Sequence, residues 1–227
     1  RSLEDTMVQP EFAHEPRWRR RPEERPRQIL DAAFETFAEH GLASARLEDI
    51  ARRAGVSKGT IYLYYPSKED LFREVVRHTV GDAIDEVERR LAGPTAMDDL
   101  NSFMDAQWRF LCSSKFPPLQ RWVHAELTAY PELANFYGQE VLGRGRRLLR
   151  SILERGMERG EFRRMDPGAA ARALIALFVT YGNWRHRPAL CDSLDGRTDH
   201  QMLEEIRQFY LAAVRPASAS ATPSTLS

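Results

Sequence analysis

Cysteine is nearly absent from this chain. Its two residues, Cys112 and Cys191, stand far apart with no CxxC partner, which excludes a disulfide framework and a zinc site of ordinary spacing. Each reads either as a free thiol behaving as a small hydrophobe or as a redox switch. Long apolar runs are missing as well. No stretch approaches the roughly 18 unbroken apolar residues of a membrane span. Residues 1–26, rich in Arg, Glu and Pro, hold no apolar signal core. The expectation is a cytoplasmic protein with no membrane partner. The Val-Ile-Thr alternation of strands is absent too, and so is any internal repeat.

Recognisable catalytic patterns are also lacking: no GxSxG, no HExxH and no phosphate-cradling glycine loop. The six histidines, His14, His40, His78, His124, His186 and His200, show no ligand spacing on one helix face. His124 and Glu126, two apart, fall on different faces of a helix. No catalytic residue, metal ligand or cofactor is expected, and no enzyme. Net charge is the last absence. Thirty-three basic residues balance 33 acidic ones, so bulk charge cannot draw the chain to a polyanion.

What is present is a globular composition, 42% hydrophobic and 29% charged, with enough apolar content for a real core. Charge is uneven along it. Arg17, Arg19, Arg20, Arg21, Arg25 and Arg27 crowd one segment diluted only by Glu23 and Glu24. This reads either as a solvated tail or as an arm reaching phosphates or a minor groove. The pattern divides into a flexible basic arm (1–21), a helix-turn-helix unit (22–68), a helical ligand-binding and dimerisation unit (69–215) and a disordered Ser/Ala/Thr/Pro tail (216–227).

The fold class expected is all-α. A first helix over about 23–40 follows Pro22, shows an Ile29, Leu30, Ala33, Phe34, Phe37 stripe and ends at Gly41 as a left-handed cap. A second spans about 47–54, broken by Gly55, and a third is capped by Ser57 and reaches Tyr64. Ser67 followed by Asp70 opens a fourth, to about Leu91. Further helices are expected over about 97–113, 118–130, 132–159, 167–187 and 198–214. Gly143, Gly145 and Gly156 weaken the 132–159 helix, each by about 1 kcal/mol relative to alanine, and a bend is expected there.

The second and third helices, joined by glycine and a small apolar plug, follow the helix-turn-helix plan. That plan leaves Ser57, Lys58, Gly59 and Thr60 at the start of an outward-facing helix, where a major groove can receive them. Tyr65 is expected to turn inward. Tyr62 and Tyr64 flank the groove with hydroxyls for phosphate, and Lys68 supplies a cation. The run Gly55-Val56-Ser57-Lys58-Gly59-Thr60-Ile61-Tyr62-Leu63-Tyr64-Tyr65-Pro66-Ser67-Lys68-Glu69-Asp70-Leu71 resembles the signature of the TetR/AcrR family of bacterial repressors. The likeness is close over about 25–72. It implies DNA contacts by Ser57, Lys58, Gly59, Thr60, Tyr62, Leu63, Tyr64 and Lys68. Arg46 stands where the family usually carries a Ser or Thr cap, losing a cap and offering a phosphate contact. Tyr64-Tyr65 replaces a frequent His-Phe pair. The segment from Trp122 to Ala134 also resembles the regulatory domain of the AefR-like branch, over roughly 103–173.

Aromatic residues then crowd the middle helices. Phe103, Trp108, Phe116, Trp122, Tyr137, Phe178 and Tyr181, with His124 among them, are either ordinary core or the lining of an apolar cavity between helices. The resemblance implies an effector pocket. Ala173, Leu177 and Trp184 on one helix and Phe209 and Tyr210 on another either pack internally or pair with a twin as a four-helix interface. The resemblance favours the twin. The expectation is therefore a homodimer on a pseudo-palindromic operator, with recognition helices about 34–36 Å apart. A small apolar or amphipathic effector would release it. Two alternatives stand beside it: a regulator answering to a protein partner or to cysteine oxidation, and a helical enzyme or carrier.

Overall fold

In the computed structural model of the chain, residues 24–216 are described, apart from 92, 192, 193 and 195. The expected arm, Pro22, and all of the expected tail but Pro216 lie outside the described residues. Among the described residues there are helices and no strands. They are α1 (Arg25–Ser44), α2 (Leu47–Ala54), α3 (Lys58–Tyr64), α4 (Lys68–Arg90), α5 (Ala96–Cys112), α6 (Phe116–Ala129), α7 (Pro131–Phe136), α8 (Leu142–Glu158), α9 (Pro167–His186) and α10 (Asp199–Val214). A single π-helical turn, Tyr137–Val141, joins α7 to α8.

Two apolar clusters hold the helices together. The first gathers Ile29, Ala33 and Phe37 of α1, Ile50 of α2, Ile61 of α3 and Leu71, Phe72 and Val75 of α4. It also takes in Leu119 and Trp122 of α6 and Tyr137 of the π turn. It therefore reaches past residue 68. The second is built on α5, α8, α9 and α10 around Leu100, Met104, Leu149, Ile152, Leu174, Phe178 and Ile206. α4 joins both, because its early residues face the first and Val87 faces the second.

Local chemistry sets the helix starts. Ser57, Ser67, Thr95 and Thr198 each accept a hydrogen bond from a backbone N–H early in the helix they precede, satisfying a donor that has no helical partner. Gly41 (φ 75°, ψ 170°) interrupts the first helix where its end was expected, and a short helical turn resumes to Ser44 because Leu42 and Ala45 are drawn into the first cluster. The expected helix over 132–159 runs as α7, a π-helical turn that contains Gly138, and α8, so its irregularity lies ahead of Gly143, Gly145 and Gly156, where the bend was expected. Gly156 instead permits packing: a Cβ there would lie 2.0 Å from the Phe162 ring.

Candidate nucleic-acid interface and interhelical cavity

The α2–α3 corner is set by a left-handed glycine. Gly55 (φ 65°, ψ 34°) ends α2, its N–H donates to the Arg52 carbonyl at 3.2 Å, and the Val56 N–H donates to the Ala51 carbonyl at 2.9 Å. These two bonds make a Schellman end. Ser57 Oγ then accepts from the Thr60 N–H at 3.0 Å and pairs with the Thr60 hydroxyl at 2.8 Å. Ile61 is wholly buried beneath α3, and Tyr65 is turned inward, its hydroxyl 3.5 Å from the Pro26 carbonyl.

The outer face of α3 is left bare. Leu63 is 79% exposed, with Tyr62 and Tyr64 also exposed, and Ser57, Lys58 and Gly59 exposed beside them. An exposed leucine costs a seven-residue helix apolar burial it would otherwise gain. Lys58 Nζ bonds to Glu48 Oε1 at 2.6 Å and sits 5.8 Å from the centre of the Tyr62 ring. That bond raises the Lys58 pKa and lowers that of Glu48. A solvated surface pair of this kind exchanges readily for a phosphate. A Cβ on Gly59 would meet nothing closer than Ser57 Oγ at 3.7 Å. The fold therefore does not require glycine there, although glycine weakens a helix. Arg46 is exposed at the start of α2 and gives it no side-chain cap.

Lys68 is placed differently from its expected neighbours. Its ammonium donates to the Ala43 and Ala45 carbonyls at 3.0 and 3.2 Å, closing the last turn of α1. α6 holds α1 as well. Arg121 Nη2 donates to the Ala38 carbonyl at 2.9 Å and Trp122 Nε1 to the Phe37 carbonyl at 3.2 Å, in the turn just before the Gly41 kink. Trp122 also meets Phe34 and Phe72 edge-on at 5.3 Å each.

A cavity of about 70 Å³ lies between α4, α5, α6, the π turn, α8 and α9. Phe103, Phe116 and Tyr137 line it; Trp108, Trp122, His124, Phe178 and Tyr181 do not. Trp108 stacks on Phe178 at 6.3 Å, Tyr181 on Trp184 at 5.3 Å, and His124 Nδ1 lies 2.7 Å from the Gln120 carbonyl. Aliphatic residues of α4 and α9, such as Val80, Ile84 and Ile175, complete the wall with Gln107 and Gln120. These were not foreseen. A signal existed in Gln107, a polar residue inside the apolar Phe103, Phe110, Leu111 stripe. Burial pushes the Tyr137 hydroxyl up to about 12, so it stays a neutral donor.

Ala173, Leu177, Trp184 and Phe209 share one apolar outer face of α9 and α10, with two shallow grooves. Phe209 is 68% exposed, whereas Tyr210 is buried, its hydroxyl donating to the Ala170 carbonyl at 2.9 Å. Burial pushes the Cys112 thiol up to about 11, leaving little nucleophilic thiolate at neutral pH. Among the described residues no helix is long and apolar enough to cross a membrane.

Comparison with known proteins adds the following. Residues 29–75 match the family described as "Bacterial regulatory proteins, tetR family", and residues 98–215 match "AefR-like transcriptional repressor, C-terminal domain". The HTH-type transcriptional repressor LfrR of Mycolicibacterium smegmatis is 32% identical over 187 residues, 79% of this chain and 85% of LfrR. The fatty acid metabolism regulator protein of Bacillus subtilis is 43% identical over 61 residues, 27% of this chain and only 31% of that protein. A crystal structure of the transcriptional regulator FadR from Bacillus subtilis in complex with stearoyl-CoA has a TM-score of 0.66 at 26% identity, covering 82% of this chain and 95% of that one.

Proposed function

The chain belongs to the tetR family of bacterial regulatory proteins and is a DNA-binding transcriptional regulator, and from that premise we propose that it is a homodimeric repressor released from its operator by a small, mainly apolar effector. The observation that carries the DNA-binding part is α3 itself. It is capped on one side by Ser57 and anchored on the other by buried Ile61, with Leu63, Tyr62 and Tyr64 held out. In this reading Ser57, Lys58, Gly59, Thr60, Tyr62, Leu63 and Tyr64 meet a major groove, with phosphate contacts fixing the register. Arg46 meets the adjacent backbone, while Lys68 acts chiefly by bracing the end of α1.

The units proposed are a DNA-binding one over 22–68 and a regulatory and dimerising one over 69–215, working in the cytoplasm. The apolar outer face of α9 and α10 supports self-association through Ala173, Leu177, Trp184 and Phe209, with the buried Tyr210 bracing α10 against α9 behind them, giving the pair of recognition helices that a pseudo-palindrome needs.

Release follows from the coupling of cavity to reading head. Leu119 and Gln120 line the cavity, and the next two residues, Arg121 and Trp122, hold the carbonyls of α1. On the other side Arg77 of α4 bonds to Glu140 of the π turn at 2.7 Å. A ligand that favours a wider cavity displaces both tethers, and the change in DNA affinity equals its preference between the two states. That a relative of like fold was crystallised with stearoyl-CoA supports a ligand-responsive bundle. The test is selection of bound duplexes from a random pool, then affinity and sedimentation of the complex. A two-fold symmetric site bound by a dimer, with steep salt dependence, is expected. A chain that stays monomeric, or enriches no duplex, overturns the reading.

A further inference from the structure

The wall of the cavity says what kind of effector it admits. Among the described residues its lining carries no Asp, Glu, Lys, Arg or His. A buried ion without a partner costs far more than a ligand of this size can recover from contact. Three neutral polar side chains stand in the wall instead, Gln107, Gln120 and Tyr137. Gln120 is 7% exposed. Among the described residues none of the three has a side-chain hydrogen bond, yet the Gln120 amide is not sealed off from the space beside it. An amide open to an otherwise apolar space offers a hydrogen bond to whatever polar atom a ligand brings there, so this group calls for a partner from within the cavity.

Resting on the reading of the protein as an effector-released regulator, we propose that the effector is an uncharged, mainly apolar molecule whose oxygen function hydrogen-bonds to the Gln120 amide, with Gln107 and the Tyr137 hydroxyl beside it. In this it differs from a fatty acid anion, a cationic drug and the polyanionic head of stearoyl-CoA. The cavity, about 70 Å³, is smaller than the roughly 150 Å³ apolar cavity that admits benzene. Binding therefore moves a wall. The π turn carries Tyr137, and α6 carries Gln120; both lead to the tethers on α4 and α1.

The test uses the full chain and a matched series of one-ring probes: 4-ethylphenol, 4-ethylbenzoate, 4-ethylbenzylammonium and ethylbenzene. Dissociation constants come from titration followed by NMR. The phenol is expected to bind about tenfold or more tightly than either ion, a difference of about 1.4 kcal/mol. Gln120→Leu, which keeps the volume, weakens the phenol at least fivefold and leaves ethylbenzene unchanged, by loss of a hydrogen bond. Gln120→Glu turns the preference toward the ammonium probe. Gly145→Leu, whose added side chain enters the cavity beside Ile84, lowers affinity for the whole series. Either ion binding within about threefold of the phenol, or no probe binding at all, overturns the inference. So does equal weakening of phenol and ethylbenzene by Gln120→Leu. Operator affinity is measured in parallel. If the charge preference appears and operator affinity does not move, the inference about the effector stands and the effector-released reading fails.

Discussion

Around α1 the aromatic rings interlock. Phe37 meets Phe72 at 5.4 Å, and Phe72 and Phe34 each meet Trp122 at 5.3 Å, all edge-on. In the bundle, Phe103, Phe116 and Tyr137 line about 70 Å³ of free space instead. Both regions are rich in rings and apolar side chains; they differ in how the rings are used. In the first, rings from α1, α4 and α6 fill the space between them, and Trp122 donates to the α1 backbone. In the bundle the helices pack as closely, yet a gap remains at the cavity, where Gly145 contributes no side chain. A reading head must hold the geometry of its recognition helix, so it is solid. A sensor must change shape, so it is hollow.

The largest effect expected is on the solid side. Phe72→Ala removes a ring that is 2% exposed and should lower unfolding free energy by about 3–5 kcal/mol; a denaturant melt losing under about 1 kcal/mol would mean the head is not the close-packed unit described. Two glycines of α8 then separate filled from open space within one helix. Gly156→Ala drives a Cβ into Phe162 and should destabilise by about 1–3 kcal/mol. Gly145→Ala meets only Ile84 Cδ1 at 4.0 Å and should stabilise by up to about 1 kcal/mol. Melts that shift in the same direction would erase the contrast.

The recognition helix sharpens it further. Gly59→Ala should raise melting stability by up to about 1 kcal/mol while lowering operator affinity about tenfold. A variant improved in both would show that nothing approaches this backbone from outside. The smallest effect belongs to Lys58→Ala. It leaves the melt nearly unchanged and lowers the slope of log affinity against log salt by about 1. An unaltered slope would remove Lys58 from the phosphate contacts.

Much of the head was legible because its signals are local. Gly55, Val56 and Ser57 act through bonds spanning five residues or fewer, so the corner, the cap and the outward set of α3 could all be read along the chain. The short turn that follows Gly41 was not legible, for the opposite reason. Whether the chain stops or resumes there depends on Leu42 finding a distant pocket among other helices. The cavity was the least legible part. Periodicity tells that Trp108, Trp122 and Phe178 face inward, but not toward which neighbour, and they turned to close contacts elsewhere. Val80, Ile84 and Ile175 line the space as ordinary aliphatic residues with nothing in their spacing to mark them.

The turn between α7 and α8 has one more consequence. A π-helical turn accommodates one residue more than an α-helical turn, and one residue corresponds to about 100° of rotation about a helix axis. Tyr137–Val141 thus works as a phase shifter. It decides which stripe of α8 looks at α4 and sets Arg144 within 2.7 Å of Asp85. Winding the same residues as plain α-helix would straighten the rod and turn every downstream side chain about its axis by that amount, presenting Arg147 where Leu148 now stands.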